Sequence, residues 1–147
     1  MLILNIATTL CIGLMVGTEL AVSAFVNPVL WKLDDDAQMN AIRMFASKLG
    51  TVMPFWYALG LLLLLAETFA MRHDPEVVLL TVASGIWAAI IVLTLVYLVP
   101  INNQLARFEP GSAPQKAQQD HRKWDRLHRL RVLALTVSMV LFLVVVL

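Results

Sequence analysis

Four long apolar stretches constrain this chain more than anything else in it. A helix needs roughly 20 apolar residues to cross a hydrocarbon layer about 30 Å thick. The first stretch runs from Met1 to about Leu30 and carries one charged side chain, Glu19. The second, Val52 to Met71, contains five consecutive leucines and then Glu67. The third, Val77 to Ile101, has no charge, and the fourth follows Arg131 to Leu147. The runs are continuous rather than alternating, which favours helices over strands. With 60% hydrophobic and 14% charged residues, a water-soluble enzyme and a disordered chain are both excluded. The predicted fold is an all-α integral membrane four-helix bundle, one domain over 1–147, with spans at about 3–30, 52–71, 77–101 and 129–147.

The first stretch is read as a retained helix. No Lys or Arg precedes it, and it is longer than a usual signal-peptide core. Lys and Arg then set the orientation. Lys32, Arg43, Lys48, Arg107, Lys116, Arg122, Lys123, Arg126, Arg129 and Arg131 fall on one side, against Arg72 alone on the other. That bias predicts two cytoplasmic loops, with both termini outside, in a bacterial inner membrane. Asp34 or Asp35 is expected to cap a short interfacial helix carrying Ile42, Phe45 and Leu49. Glu109 to Pro114 reads as a break, after which Gln115 begins a cytoplasmic extension of the fourth helix. Arg131 is expected to snorkel outward.

Polar residues inside the spans carry the functional signal. A carboxylate at the depth of Glu19 costs a few kcal/mol unless it is paired or protonated. Glu19, Ser23 and Asn27 follow at helical spacing and form a polar stripe, interrupted by Pro28. An interhelical hydrogen bond is the plainer explanation. Glu67 is expected to pair with Arg72, and the Gly13/Gly17 pair to serve close packing inside the bundle. Trp31, Trp56, Tyr57, Tyr97 and Trp124 cluster toward one end, which suggests a pocket roofed by aromatics with Glu19 at its floor. On the last helix, Trp124 and His128 lie one turn apart, and Asp125 stands where it could orient His128. His121 falls two turns earlier. A juxtamembrane basic segment meeting anionic lipid accounts for the arginines alone.

Asn27-Pro28 with Trp31, then Pro100-Ile101-Asn102-Asn103, then Trp124-Asp125-Arg126-Leu127-His128-Arg129-Leu130-Arg131, resemble the anthrone-oxygenase-like family of small four-helix membrane proteins. The Trp-x-x-x-His-x-x-Arg element is the most specific part. The resemblance implies Trp124, His128 and Arg131 as site residues, with Asn27 and Asn102 or Asn103 nearby. It implies oxidation of a flat polycyclic substrate by dioxygen and leaves open whether any cofactor beyond dioxygen takes part. In that scheme His128 is the base oriented by Asp125, Arg131 stabilises the oxyanion, and Glu19 completes the catalytic set. Trp124, Trp31, Asn27, Asn102, Asn103 and Tyr97 would hold an apolar aromatic substrate.

Two other readings stand beside this one. A metal or haem oxidoreductase would use His128, Glu19 and His121 for iron, copper or haem. A di-iron bundle needs paired Glu-x-x-His motifs, which are absent. A non-enzymatic transporter subunit or assembly factor would use Glu19 as its titrating group. The single cysteine, Cys11, excludes a paired-thiol enzyme and is expected to be a small apolar packing residue. The net charge of +1 gives no basis for nucleic-acid binding. Membrane lipid is the expected surround, and self-association stays open.

Overall fold

The computed structural model describes residues 1–107 and 114–147. Among them every long element is helical. Four helices are long and apolar enough to span a membrane: α1 (Leu2–Leu30), α2 (Asp35–Ala70), α3 (Val77–Ala106) and α4 (Pro114–Val146). Each packs on its neighbours in sequence, and α1 also packs on α4, which closes the ring. The chain is an integral membrane four-helix bundle. Phe55, Leu62, Phe69, Leu133 and Val144 are exposed, an arrangement that water would penalise and acyl chains do not.

The helices differ from expectation at two places. The separate interfacial helix does not exist. Residues 35–51 are the opening turns of the 36-residue α2, whose length of about 54 Å at 1.5 Å per residue exceeds the hydrocarbon layer. Asp34 caps it as expected, accepting from Ala37 N–H at 2.9 Å, and Asp35 and Asp36 favour the positive end of its dipole. Pro100 does not end α3, which runs on to Ala106. A π turn over Thr94–Leu98 lies just before that proline. Another π turn, Val22–Val26, stands at the same offset before Pro28 in α1. A wider turn spaces the proline ring from the preceding carbonyls, so both helices continue. Most of the break expected over 109–114 lies outside the described residues, and α4 opens at Pro114.

The core is apolar through its middle. Ile12, Met15, Leu64, Leu80, Leu135 and Phe142 are fully buried. Trp87 on α3 is buried against α2 and donates its Nε1–H to the Tyr57 carbonyl at 3.0 Å. Gly60 makes this approach possible: a Cβ there would sit 2.6 Å from the indole. Trp56 ties α2 to α1 by donating to the Cys11 carbonyl at 3.1 Å. Gly13 faces Met139 of α4 at contact distance, but Gly17 has open space beside it, so only the first glycine of the pair serves packing inside the bundle.

Glu67 does not pair with Arg72. It continues the inward face of Gly60 and Leu64, is 0% exposed, and accepts from Thr8 Oγ1 at 3.0 Å. Arg72, five residues on, points elsewhere, donating to the Phe69 carbonyl and lying over the Phe69 ring.

Candidate functional site

Glu19 sits on α1 one turn before the π turn and is 2% exposed. Three side chains from two other helices converge on its carboxylate. From α2, the Tyr57 hydroxyl donates to Oε1 at 2.9 Å. From α4, Arg131 Nη2 donates to Oε2 at 2.7 Å, and His128 Nδ1 lies 3.1 Å from the same oxygen. Arg131 is 6% exposed; it does not snorkel outward. The buried carboxylate offers it a charge-assisted bond inside the bundle, which outweighs headgroup solvation.

His128 is 1% exposed, and its ring is held at both nitrogens. Nε2 faces the Glu19 main-chain oxygen at 3.1 Å. A carbonyl only accepts, so this contact places a proton on Nε2. Nδ1 lies 2.8 Å from Arg131 Nη2 as well as beside Glu19 Oε2. Arginine only donates, so Nδ1 accepts from Nη2, and the guanidinium bridges the His128 ring and the Glu19 carboxylate.

Asp125 does not orient His128. It accepts from Asn27 Nδ2 at 2.6 Å and pairs with Arg129 at 3.0 Å. The i, i+3 spacing permitted a contact with His128, but Glu19 already holds that ring. Asn27 is buried with Asp125 rather than with Glu19. The wider π turn shifts helical phase between the two positions and breaks the expected stripe.

A cavity of about 60 Å³ adjoins these groups. Its polar wall includes Thr18, Glu19, Tyr57, Thr94, Asn102, His128 and Arg131, and its apolar wall includes Met53, Pro54, Leu98 and Trp124. A second cavity of about 30 Å³ shares Val22, Leu49, Asn102 and Trp124 with the first and reaches Asn27 and His121. Among the described residues, three buried side-chain polar atoms have no partner: Thr94 Oγ1, Arg131 Nε and His121 Nε2. All three residues line one or other of these two cavities.

The aromatic residues divide. Tyr57 and Trp124 line the first cavity. Trp124 stacks on His128 with ring centres 4.6 Å apart and planes 12° from parallel, and His121 lies on from it at 6.1 Å. Trp31 packs on His121 at 4.9 Å. Tyr97 is 53% exposed and Trp56 lies outside the cavity wall. Asn102 lines both cavities and donates to the Ala46 carbonyl at 2.7 Å. Asn103, turned about 100° away by helical geometry, is exposed. Tyr97 and Asn103 are therefore outside the site.

The donors do not fit a resident metal. Among the described residues no three His, Cys, Asp or Glu side chains come together. The indole of Trp124 lies between His121 and His128. The Arg131 guanidinium occupies the space beside Glu19 that a cation would take.

Sequence reasoning named Glu19, His128 and Arg131 but left Tyr57 as a generic aromatic, and it did not single out Thr94. Tyr57 stands three residues before Gly60 on the inward face of α2, and that spacing was its one available signal.

No curated protein and no solved structure matches the chain. A family model described as anthrone oxygenase matches residues 42–141. The matched region contains Tyr57, Asn102, Trp124, His128 and Arg131, and begins beyond Glu19, Asn27 and Trp31. That match covers more than half of the sequence, and the chain belongs to the anthrone oxygenase family.

Proposed function

We propose that this protein oxidises a flat aromatic ketone of the anthrone type with dioxygen, in the cavity beside Glu19, Tyr57, His128 and Arg131. The observation that carries the reading is Arg131. Its Nη2 is spent on Glu19 and His128, while its Nε stays unpartnered in a cavity-lining side chain. A guanidinium so placed suits the oxygen of an enolate, where negative charge develops.

Glu19 is the base that meets the substrate. Oε1 is covered only by the Tyr57 hydroxyl, which an incoming ligand can displace. The proton taken from the carbon opposite the carbonyl passes to the Glu19 carboxylate. The enolate gives electrons to dioxygen and the new C–O bond makes a peroxide. Loss of water from the peroxide, with the second proton of that carbon, leaves the quinone. One dioxygen is consumed and one water released per ketone, so atoms and electrons balance. Tyr57, whose hydroxyl bonds Oε1, can supply a proton to the departing oxygen.

Size limits what enters without movement. A cavity of 150 Å³ is enough for benzene. The first holds about 60 Å³ and the second about 30 Å³, so a tricyclic ligand requires them to join by rotation of Trp124 or Asn102 and the helices around them to part as well. The positive-inside bias puts this end of the bundle in the cytoplasm.

A transport role is less well supported. Glu19 is already paired with a guanidinium, and the buried α1 residues between it and Thr8, the partner of Glu67, are Ile12, Met15 and Val16, all apolar.

The test is oxidation of anthrone by the purified protein under isotopically labelled dioxygen, followed by quinone absorbance and mass. Label should enter the quinone at a rate well above autoxidation. Glu19→Gln and His128→Ala should fall to background while staying folded. A rate equal to autoxidation with wild-type protein would end the proposal.

A further inference from the structure

Outside these cavities, a groove of about 340 Å³ is lined by Trp31, Arg122, Asp125, Arg126 and Arg129. It lies where the end of α1 meets α4, just before the last apolar run begins. We propose that this groove binds the phosphodiester of one anionic membrane phospholipid.

Three observations converge on that ligand. Arg122, Arg126 and Arg129 follow at i, i+4 and i+7, so their guanidinium groups share one face of α4. Arg122 is held over the Trp31 ring at 5.5 Å, and Arg129 is held by Asp125 at 3.0 Å. Among the described residues, Arg122 and Arg126 make no hydrogen bond or ion pair, so their forks are free for phosphate oxygens. Asp125 has both carboxylate oxygens engaged, by Asn27 and by Arg129, which mutes its repulsion of an anion.

The same helix face continues as Leu133 and Val137, both exposed. A free phosphate ion has no use for those side chains, whereas the acyl chains of a lipid run along them. Charge at the headgroup level with an apolar track directly beneath it selects an amphiphile. Trp31 sits at the height where indoles favour the membrane interface.

The site also touches the interior. Arg129 holds Asp125, and Asp125 holds Asn27 immediately before Pro28. A bound phosphate would draw Arg129 outward and loosen that link.

The experiment uses the full chain in nanodiscs of equimolar phosphatidylglycerol and phosphatidylcholine, followed by detergent stripping and native mass spectrometry. One phosphatidylglycerol should stay on each chain. The triple variant Arg122→Gln, Arg126→Gln, Arg129→Gln should retain about tenfold less or lower still. A control removing equal charge at the same end (Arg43→Gln, Lys48→Gln, Lys116→Gln) should retain as much as wild type. Equal loss in that control, or equal retention of phosphatidylcholine, would overturn the site in favour of diffuse attraction. Displacement of the lipid by millimolar inorganic phosphate would overturn the lipid assignment and leave an anion site. Should the triple variant fail to fold, Arg126→Gln alone, at an exposed and unbonded side chain, should still lower retention severalfold, and unchanged retention there overturns the proposal. None of these readouts depends on oxidation of a ketone.

Discussion

Glu19 and Arg131 form a pair whose worth depends on both members. Taking two charges out of water is expensive, and their attraction offsets this only with good geometry and additional bonds. Here Tyr57 and His128 supply those bonds. Arg131→Met should destabilise the bundle by about 3–5 kcal/mol, since it strands a buried carboxylate. Adding Glu19→Gln should recover part of that loss. Unfolding in mixed micelles, read as a double-mutant cycle, gives the coupling; strict additivity would mean that the two side chains do not interact. Asp125 makes a contrasting case. Because it touches Asn27 and Arg129 rather than His128, Asp125→Asn should change turnover no more than severalfold, whereas His128→Ala should abolish it. Steady-state rates of the two variants, compared side by side, separate positioning by Asp125 from positioning by Glu19.

At the scale of elements, the two π turns stand out because each precedes a proline at the same offset. Both border the cavities, through Val22 and Thr94. π turns recur at functional sites because they free carbonyls and re-aim side chains. The Glu19 carbonyl that receives His128 lies one turn before the first of them. Pro28→Ala should therefore hold or raise thermal stability while lowering turnover, because a regular helix rotates Glu19 relative to α4. A variant with lower stability and full activity would contradict this. The α2–α3 contact depends on Gly60. Gly60→Ala forces the added methyl against the Trp87 indole and should cost about 1–3 kcal/mol, the usual range for overpacking. Trp87→Phe in the same chain should restore part of the loss, measured by thermal unfolding.

For the whole molecule, the distribution of charge makes a topological prediction. Ten of the eleven Lys and Arg lie toward the end that carries the 31–34 and 107–113 connections. In a Cys11→Ser background, a cysteine placed by Asp74→Cys should react with an impermeant maleimide on intact cells. One placed by Gln118→Cys should react only after permeabilisation. The reverse pattern would invert the orientation and place the site's end of the bundle outside.

Membrane insertion, the count of four helices and the cap at Asp34 were legible in the sequence because each depends on local chemistry: apolar length, charge bias, a side chain beside its own helix start. Of the trio Glu19, His128 and Arg131, only Glu19 stood out by its depth, because an ionisable group inside a span needs a partner; Arg131 was marked as a site residue by the family resemblance. Residue spacing does not carry azimuth. Two π turns changed the helical phase between Glu19 and Asn27 and carried α3 past Pro100, so the polar stripe, the expected helix end and the roles of Tyr97 and Asn103 all depended on backbone geometry that residue spacing does not encode. Partner choice was also beyond the sequence. Arg131 could as well have reached the headgroups, Asp125 could have held His128, and Glu67 could have paired with Arg72. Tertiary packing decided each case, because a buried charge takes the partner that the assembled bundle brings within about 3 Å, and only the fold determines which side chain that is.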